Sequence, residues 1–229
     1  MSLRKLMLAL PSIGLVILVL NAQALAWSNG PQGCNSFGTH DWILKKAVQH
    51  AQGAEWVRMK VALRATDDPD CKDGIDHASG TWWHVYDRWG DEWGGADEAA
   101  EVWHDRAWTR LTNGNNRGAS RALGILAHII GDVAQPMHTD SYPREDRVHS
   151  SYESAVDERI DRYRFTYDGY ETVGPGSAVA RTATAAHKHY WDLVRAYDRH
   201  GYNAKVNRIT KRQLNRAANV LADLISLMG

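Results

Sequence analysis

Two histidines and an aspartate interrupt an otherwise apolar stretch, AHIIGDVAQPMH, at residues 127–138. His128 and Asp132 are four residues apart, so on a helix their side chains stack on one face, a turn from each other. Leu126, Ile129, Ile130 and Val133 surround them, and an unpaired carboxylate in such company would be costly. A divalent cation would remove that cost. His149 and Glu153 repeat the four-residue spacing, and His138 lies eleven residues before His149. Upstream, His40 starts a predicted helix, Asp70 sits in an Asp-rich loop and His84 follows Trp82-Trp83. Imidazoles and carboxylates without thiolates suit zinc with positions left open for water or substrate. On residue type alone, His77 competes with His84, and Asp67 and Asp68 compete with Asp70.

The elements that must carry these groups read as helices separated by polar loops. Apolar residues recur at helical spacing over 42–63, 96–111, 117–135, 149–164, 178–199 and 210–228. Pro136 ends or kinks the helix that holds His128 and Asp132. No alternating run is long enough for a sheet, and no repeat or linker stands out. The expected architecture is all-α, a single-domain multi-helix bundle.

Residues 1–26 read as a signal peptide. Arg4 and Lys5 precede an apolar run from Leu6 to Leu20, and Ala24-Leu25-Ala26 supplies a small-residue cleavage signal. Cleavage between Ala26 and Trp27 gives a secreted or periplasmic protein of one domain, 27–229, whose first residue offers a free α-amino nitrogen. That amine is neutral enough near physiological pH to bind a metal. Without Arg4 and Lys5 the chain holds 25 basic and 27 acidic residues. This balance implies no general electrostatic grip on nucleic acid or membrane. The only cysteines, Cys34 and Cys71, form an even pair in an exported chain and predict a disulfide.

Trp27 after the cleavage site, GTHDWI (38–43), DPDC (68–71), WWHVYD (82–87), HIIGDVAQPMH (128–138) and HSSYE (149–153) occur in the order found in the zinc-dependent phospholipase C superfamily. The chain resembles that superfamily, which also includes the single-strand-specific zinc nucleases, from Trp27 to about Arg164. The resemblance implies three Zn2+ ions in a trinuclear cleft. One would be held by Asp70, His84, His128 and Asp132, and a second by His138, His149 and Glu153. A third would use the amine and carbonyl of Trp27 with His40 and Asp132. The histidine-aromatic-aspartate run favours His84 over His77, and the Pro-Asp pairing favours Asp70.

The implied activity is hydrolysis of a phosphodiester by water, without a covalent enzyme intermediate, with Asp70 as the residue assisting deprotonation. Phospholipid at a lipid interface is the expected substrate, because GTHDWILKKA is closer to the phospholipases than to the nucleases. Single-stranded nucleic acid is the alternative, and a non-enzymatic, zinc-stabilised secreted helical protein is a third reading. No aromatic match to a choline-binding headgroup pocket is found. No stable protein partner is implied, and a monomer is expected. Six tryptophans between residues 82 and 108 are read mainly as core. His50, His77, His104, His187, His189 and His200 are read as surface or structural.

Overall fold

Asn115 starts the central helix by accepting a hydrogen bond from the Gly118 backbone at 2.8 Å, which satisfies one of the orphan N–H groups of a helix start. The helix, α5, runs Asn116–Ala134 and stops where Pro136 opens a 3₁₀ turn, Pro136–Thr139. From Ala119 to Ala134 every side-chain position except Arg121 is buried. A computed structural model describes Trp27 and residues 34–87, 93–140 and 146–229, without the side chains of Asp146 and Arg147. The predicted signal peptide lies outside the described residues.

Around α5 pack α1 (Thr39–His50), α2 (Met59–Thr66), α4 (Ala96–Thr112), α7 (Pro175–His187) and α9 (Ala204–Ser226). Among the described residues, the short α3 (Asp68–Cys71), α6 (Asp146–Asp157) and α8 (Tyr190–His200) complete nine α-helices, and no strand occurs. The fold is all-α. No helix among these residues is long and apolar enough to cross a membrane. Cys34 and Cys71 form a disulfide with their Cα atoms 6.0 Å apart.

Several expected helices divide. The run over 42–63 becomes α1, a 3₁₀ turn at Ala54–Trp56 and α2. Gly53 breaks it in a left-handed conformation, φ 63°, that favours glycine. The run over 178–199 breaks at Lys188-His189 into α7 and α8. The 149–164 run ends as a helix at Asp157, and the Asp-rich loop contains α3, whose Pro69 suits a first helical turn. α9 starts earlier than the apolar spacing shows, because the Asn203 side chain caps the N–H groups of Lys205 and Val206 at 2.9 and 3.2 Å. Further along α9, Asn215, Asn219 and Asp223 are one turn apart. They accept from the backbone of Thr166, Asp168 and Glu171 at 2.7, 3.2 and 3.1 Å. One helix face thus does for an extended segment what a neighbouring strand would do.

The tryptophans are less uniformly core than expected. Trp103 is buried, Trp83 and Trp93 are half-buried, and Trp82 and Trp108 are exposed. Trp89 lies outside the described residues. Trp108 is on the solvent face of α4, and the turn Thr81–His84 turns Trp82 outward while His84 points in.

Gly124 sets how closely α2 approaches α5, since a Cβ there would collide with the Ala62 carbonyl and the Ala65 methyl. Gly124→Ala should therefore lose about 1–3 kcal/mol of stability by overpacking. The expected readout is a lower urea midpoint at unchanged slope. An unchanged midpoint would show that α2 moves aside without cost.

Candidate metal centre

α5 carries His128 and Asp132 on its fully buried face, one turn apart. Three further elements bring side chains to them. His40 enters from the first turn of α1, Asp70 from α3, and His84 from the end of the turn Thr81–His84. The imidazole of His40 lies flat against that of His128, with ring centroids 4.0 Å apart. It fits only because residue 131 is glycine: a Cβ at Gly131 would stand 2.6 Å from His40 Nδ1.

The two oxygens of Asp132 face different groups. Oδ2 is 2.8 Å from His84 Nδ1 and 3.1 Å from His128 Nε2. Oδ1 is 3.3 Å from His40 Nε2. Asp70 Oδ1 stands 3.6 Å from His128 Nε2 and 3.7 Å from His84 Nδ1. After Pro136 the chain turns back, so that His138 Nε2 lies 3.0 Å from His149 Nε2. Glu153 Oε1 is 2.8 Å from the same nitrogen and 3.7 Å from that of His138. Three sets of donor atoms result, each within 4.8 Å of one another: His40, His128 and Asp132; Asp70, His84 and His128; His138, His149 and Glu153.

Backbone carbonyls decide which ring nitrogens face inward. His128 Nδ1 is 2.7 Å from the Thr66 carbonyl, His84 Nε2 is 2.8 Å from that of Ala78, and His138 Nδ1 is 2.9 Å from that of His84. A carbonyl only accepts, so each of these nitrogens carries the proton and donates it. The opposite nitrogen of a neutral ring then offers a lone pair to the centre, the pattern of metal-ligating histidines. His128 Nε2 and His84 Nδ1 consequently approach to 3.1 Å with no proton required between them. Both Asp132 oxygens are buried without a hydrogen bond of proper geometry, as are both nitrogens of His40. Buried acceptors converging without donors are what a divalent cation satisfies.

With protons alone, the charges must be shared among these groups. Burial disfavours the charged imidazole of His128, yet the carboxylates of Asp132 and Asp70 prevail and push it up to about 9. Burial likewise opposes ionisation of Asp132, but His128 and its neighbours hold the carboxyl well below its usual range. His40, desolvated and beside His128, is lowered well below an ordinary histidine. Glu153 is lowered against the effect of burial by His149 and His138.

The competing residues sit elsewhere. His77 pairs with Asp76 at 2.8 Å and Glu98 at 3.3 Å near the surface. Asp68 is bound by Arg121 and Lys72. Asp67 accepts from the Asn35 N–H, and burial pushes its carboxyl up to about 7. The Trp27 ring is buried edge-on to Tyr152, at 6.3 Å, next to Glu153 in sequence. His187 Nδ1 lies 3.0 Å from the carbonyl of Thr139, the neighbour of His138 in sequence.

Sequence reasoning passed over Gln135. It is fully buried, and its Nε2 lies 2.9 Å from Glu153 Oε1 and 2.7 Å from His149 Nε2. Its Oε1 accepts from the Met137 backbone, so it joins the end of α5 to two side chains of α6. An amide inside a buried run was the available signal. Thr39 was also missed: its N–H and hydroxyl donate to Asp157 at 3.0 and 2.6 Å, tying the start of α1 to the end of α6.

Among solved structures, the chain is similar to an alpha-toxin of Clostridium perfringens isolated from an avian strain. The TM-score is 0.68 at 16% identity, covering 85% of this chain and 64% of that one. It is also similar to the alpha toxin of Clostridium absonum, with a TM-score of 0.63 at 17% identity, covering 83% of this chain and 63% of that one. The chain thus spans a little under two thirds of the length of these toxins. At this identity the likeness shows the fold, an all-α arrangement shared with these alpha-toxins, in keeping with the helical architecture expected from the sequence. Neither the scan of family models nor the search of curated proteins gives a match.

The protonation pattern predicts a pH effect in metal-free protein. His128 binds its proton more tightly folded, with a pKa of about 9 against 6.5 for an ordinary histidine. Stability from this group is therefore complete below the lower value and is lost as pH rises through about 9. The melting temperature of chelator-treated protein should fall over this interval, and His128→Asn should flatten the slope. An equal slope in the variant would assign the effect to another group.

Proposed function

We propose that the protein is a secreted, zinc-dependent phosphodiester hydrolase of phospholipase C type. The observation that carries this reading is the presence of three largely buried imidazole–carboxylate sets, two of which share His128, in the fold of the clostridial alpha-toxins. Asp70, His84, His128 and Asp132 would hold one zinc, and His138, His149 and Glu153 a second. His40 and Asp132 would hold a third together with the amine and carbonyl of Trp27 as the first residue of the mature chain. Zinc bound here supplies positive charge for the phosphate oxygens and the acidity that readies a water for attack.

The protein's own groups orient and dehydrate this chemistry. The Thr66, Ala78 and His84 carbonyls hold the Nδ1 protons of His128 and His138 and the Nε2 proton of His84, so the opposite nitrogens are the ones that would face zinc. Asp70, less buried than Asp132 and facing the His84–His128 pair, would take a proton from water. His138 Nε2, His149 Nε2 and Glu153 Oε1 face one another and would be the donor atoms to this zinc. The set has three protein donors, which leaves a position for a phosphate oxygen. The disulfide supports export through an oxidising compartment.

Initial rates on phosphatidylcholine micelles and on single-stranded DNA, each with and without chelator, test the reading. Chelator-sensitive turnover of lipid is expected. Faster turnover of DNA would replace the phospholipase assignment with a nuclease, and inactivity on both would remove the enzymatic one. A second test concerns Trp27. Retaining one residue before it should lower the zinc content by about one ion per chain and reduce turnover, whereas equal zinc and rate would sink the role of the terminal amine.

A further inference from the structure

A cluster of cations outside the metal-ligand sets lies at the opposite end of α5. A groove of about 780 Å³ runs between α2 and the start of α5. Its charged lining is Lys60, Arg64, Lys72, Arg117 and Arg121 against one carboxylate, Asp68. That carboxylate is already committed: Arg121 donates to it through Nε and Nη2 at 3.1 and 2.8 Å, and Lys72 pairs with its other oxygen. Lys60, Arg64 and Arg117 are exposed and form no ion pair among the described residues. The whole chain is formally neutral, so five cations around one satisfied acid are a local excess.

Two placements make the excess costly without a ligand. Lys60 and Arg64 are four apart on one face of α2, a like-charge arrangement that weakens a helix. Arg117 is in the first turn of α5, where no acidic residue occurs and the helix dipole disfavours a cation. A bound anion relieves both. Guanidinium groups match the oxygens of a phosphate in pairs. The groove lining contains no aromatic side chain, so it offers nothing for bases to stack on, as strands of nucleic acid require. The groove between α7 and α9 also holds arginines, but three carboxylates, Asp168, Glu171 and Asp223, line it with them.

We propose that the α2–α5 groove binds the phosphate of an anionic phospholipid headgroup and docks the protein on a negatively charged bilayer. Arg117 precedes His128 by eleven residues of the same helix, about 16 Å at 1.5 Å per residue, so the docked lipid is not the one hydrolysed. The choice of lipid as the source of phosphate rests on the phospholipase reading; the anion site does not.

The test uses zinc-loaded mature protein and vesicles of phosphatidylcholine with or without one third phosphatidylglycerol. Binding is read by tryptophan-to-dansyl-lipid energy transfer in the first second after mixing. Replacing Lys60, Arg64 and Arg117 together by Gln should weaken binding to acidic vesicles about a hundredfold, at roughly fivefold per cation. Binding to neutral vesicles and hydrolysis of a soluble phosphodiester should not change. The matched control replaces Arg208, Lys211 and Arg212 of α9 by Gln, and a melting curve for each variant verifies folding. Wild-type binding to acidic vesicles must also weaken steeply with salt.

Equal losses in both variants, or none in the groove variant, would overturn the proposal. So would displacement from vesicles by submillimolar inorganic phosphate, which makes the free ion the ligand, or a groove-dependent preference for single-stranded DNA over vesicles. Groove-dependent docking by a protein that hydrolyses no lipid would end the phospholipase reading and leave the groove standing. Lipid turnover without such docking would do the reverse.

Discussion

A carboxylate that is wholly buried and has no hydrogen-bond donor aimed at it governs this structure. Asp132 makes close approaches to three imidazoles, yet none has the alignment of a hydrogen bond. Removing one partner from a buried charge is far more damaging than never burying it, so the site is an all-or-nothing assembly. Its two oxygens look in different directions, which couples His40 on α1 to His84 and His128 on the other side. α1, the Thr81–His84 turn and α5 therefore cannot shift independently while the charge is satisfied.

The requirement explains features that otherwise look like losses. Glycine within a helix costs about 1 kcal/mol relative to alanine, and α5 contains both Gly124 and Gly131. The first lets the α2 backbone approach, and the second admits the His40 ring. The approach of α2 also brings the Thr66 carbonyl to His128. Packing and ligand orientation are thus one construction: the residue that allows α2 to lie close is separated by a single turn from the ring that α2 orients.

The sequence shows residue types and local spacing well, and long-range pairing poorly. His128 with Asp132 and His149 with Glu153 are visible because a helix puts residues four apart on one face. The all-α class is visible because apolar periodicity persists through most of the chain. That the Asp70 and His84 side chains meet across a 3₁₀ turn depends on tertiary packing, and only the order of motifs pointed to it. The break at Lys188-His189 carries no glycine or proline, so the 178–199 pattern reads as one helix. Gln135 escaped attention because its type is ordinary; only its full burial, beside Glu153, gives it meaning. The basic groove was invisible because Lys60, Arg64, Lys72, Arg117 and Arg121 come from three stretches of a chain whose total charge is zero.

α3 brings these lessons together within four residues. A single turn cannot sustain itself as a helix, since nucleation alone is unfavourable, yet Asp68–Cys71 must present Asp70 with its oxygen less than 4 Å from two imidazoles. It is anchored at both ends. Asp68 is gripped by Arg121 of α5, and Cys71 is bonded to Cys34. Closing a loop of this length removes about 4 kcal/mol of unfolded-chain entropy in the simplest account. Its local consequence is more specific, because the restrained cysteine is the neighbour of Asp70. Asp67 supplies the third fastening by accepting from the Asn35 backbone, on the same side as the disulfide. Three acidic positions within four residues, 67, 68 and 70, thus divide into two that hold the turn and one that the turn holds toward His84 and His128. The DPDC motif acts as a clamp that holds Asp70 toward the His84–His128 pair, and the disulfide serves that placement as much as the stability of the fold.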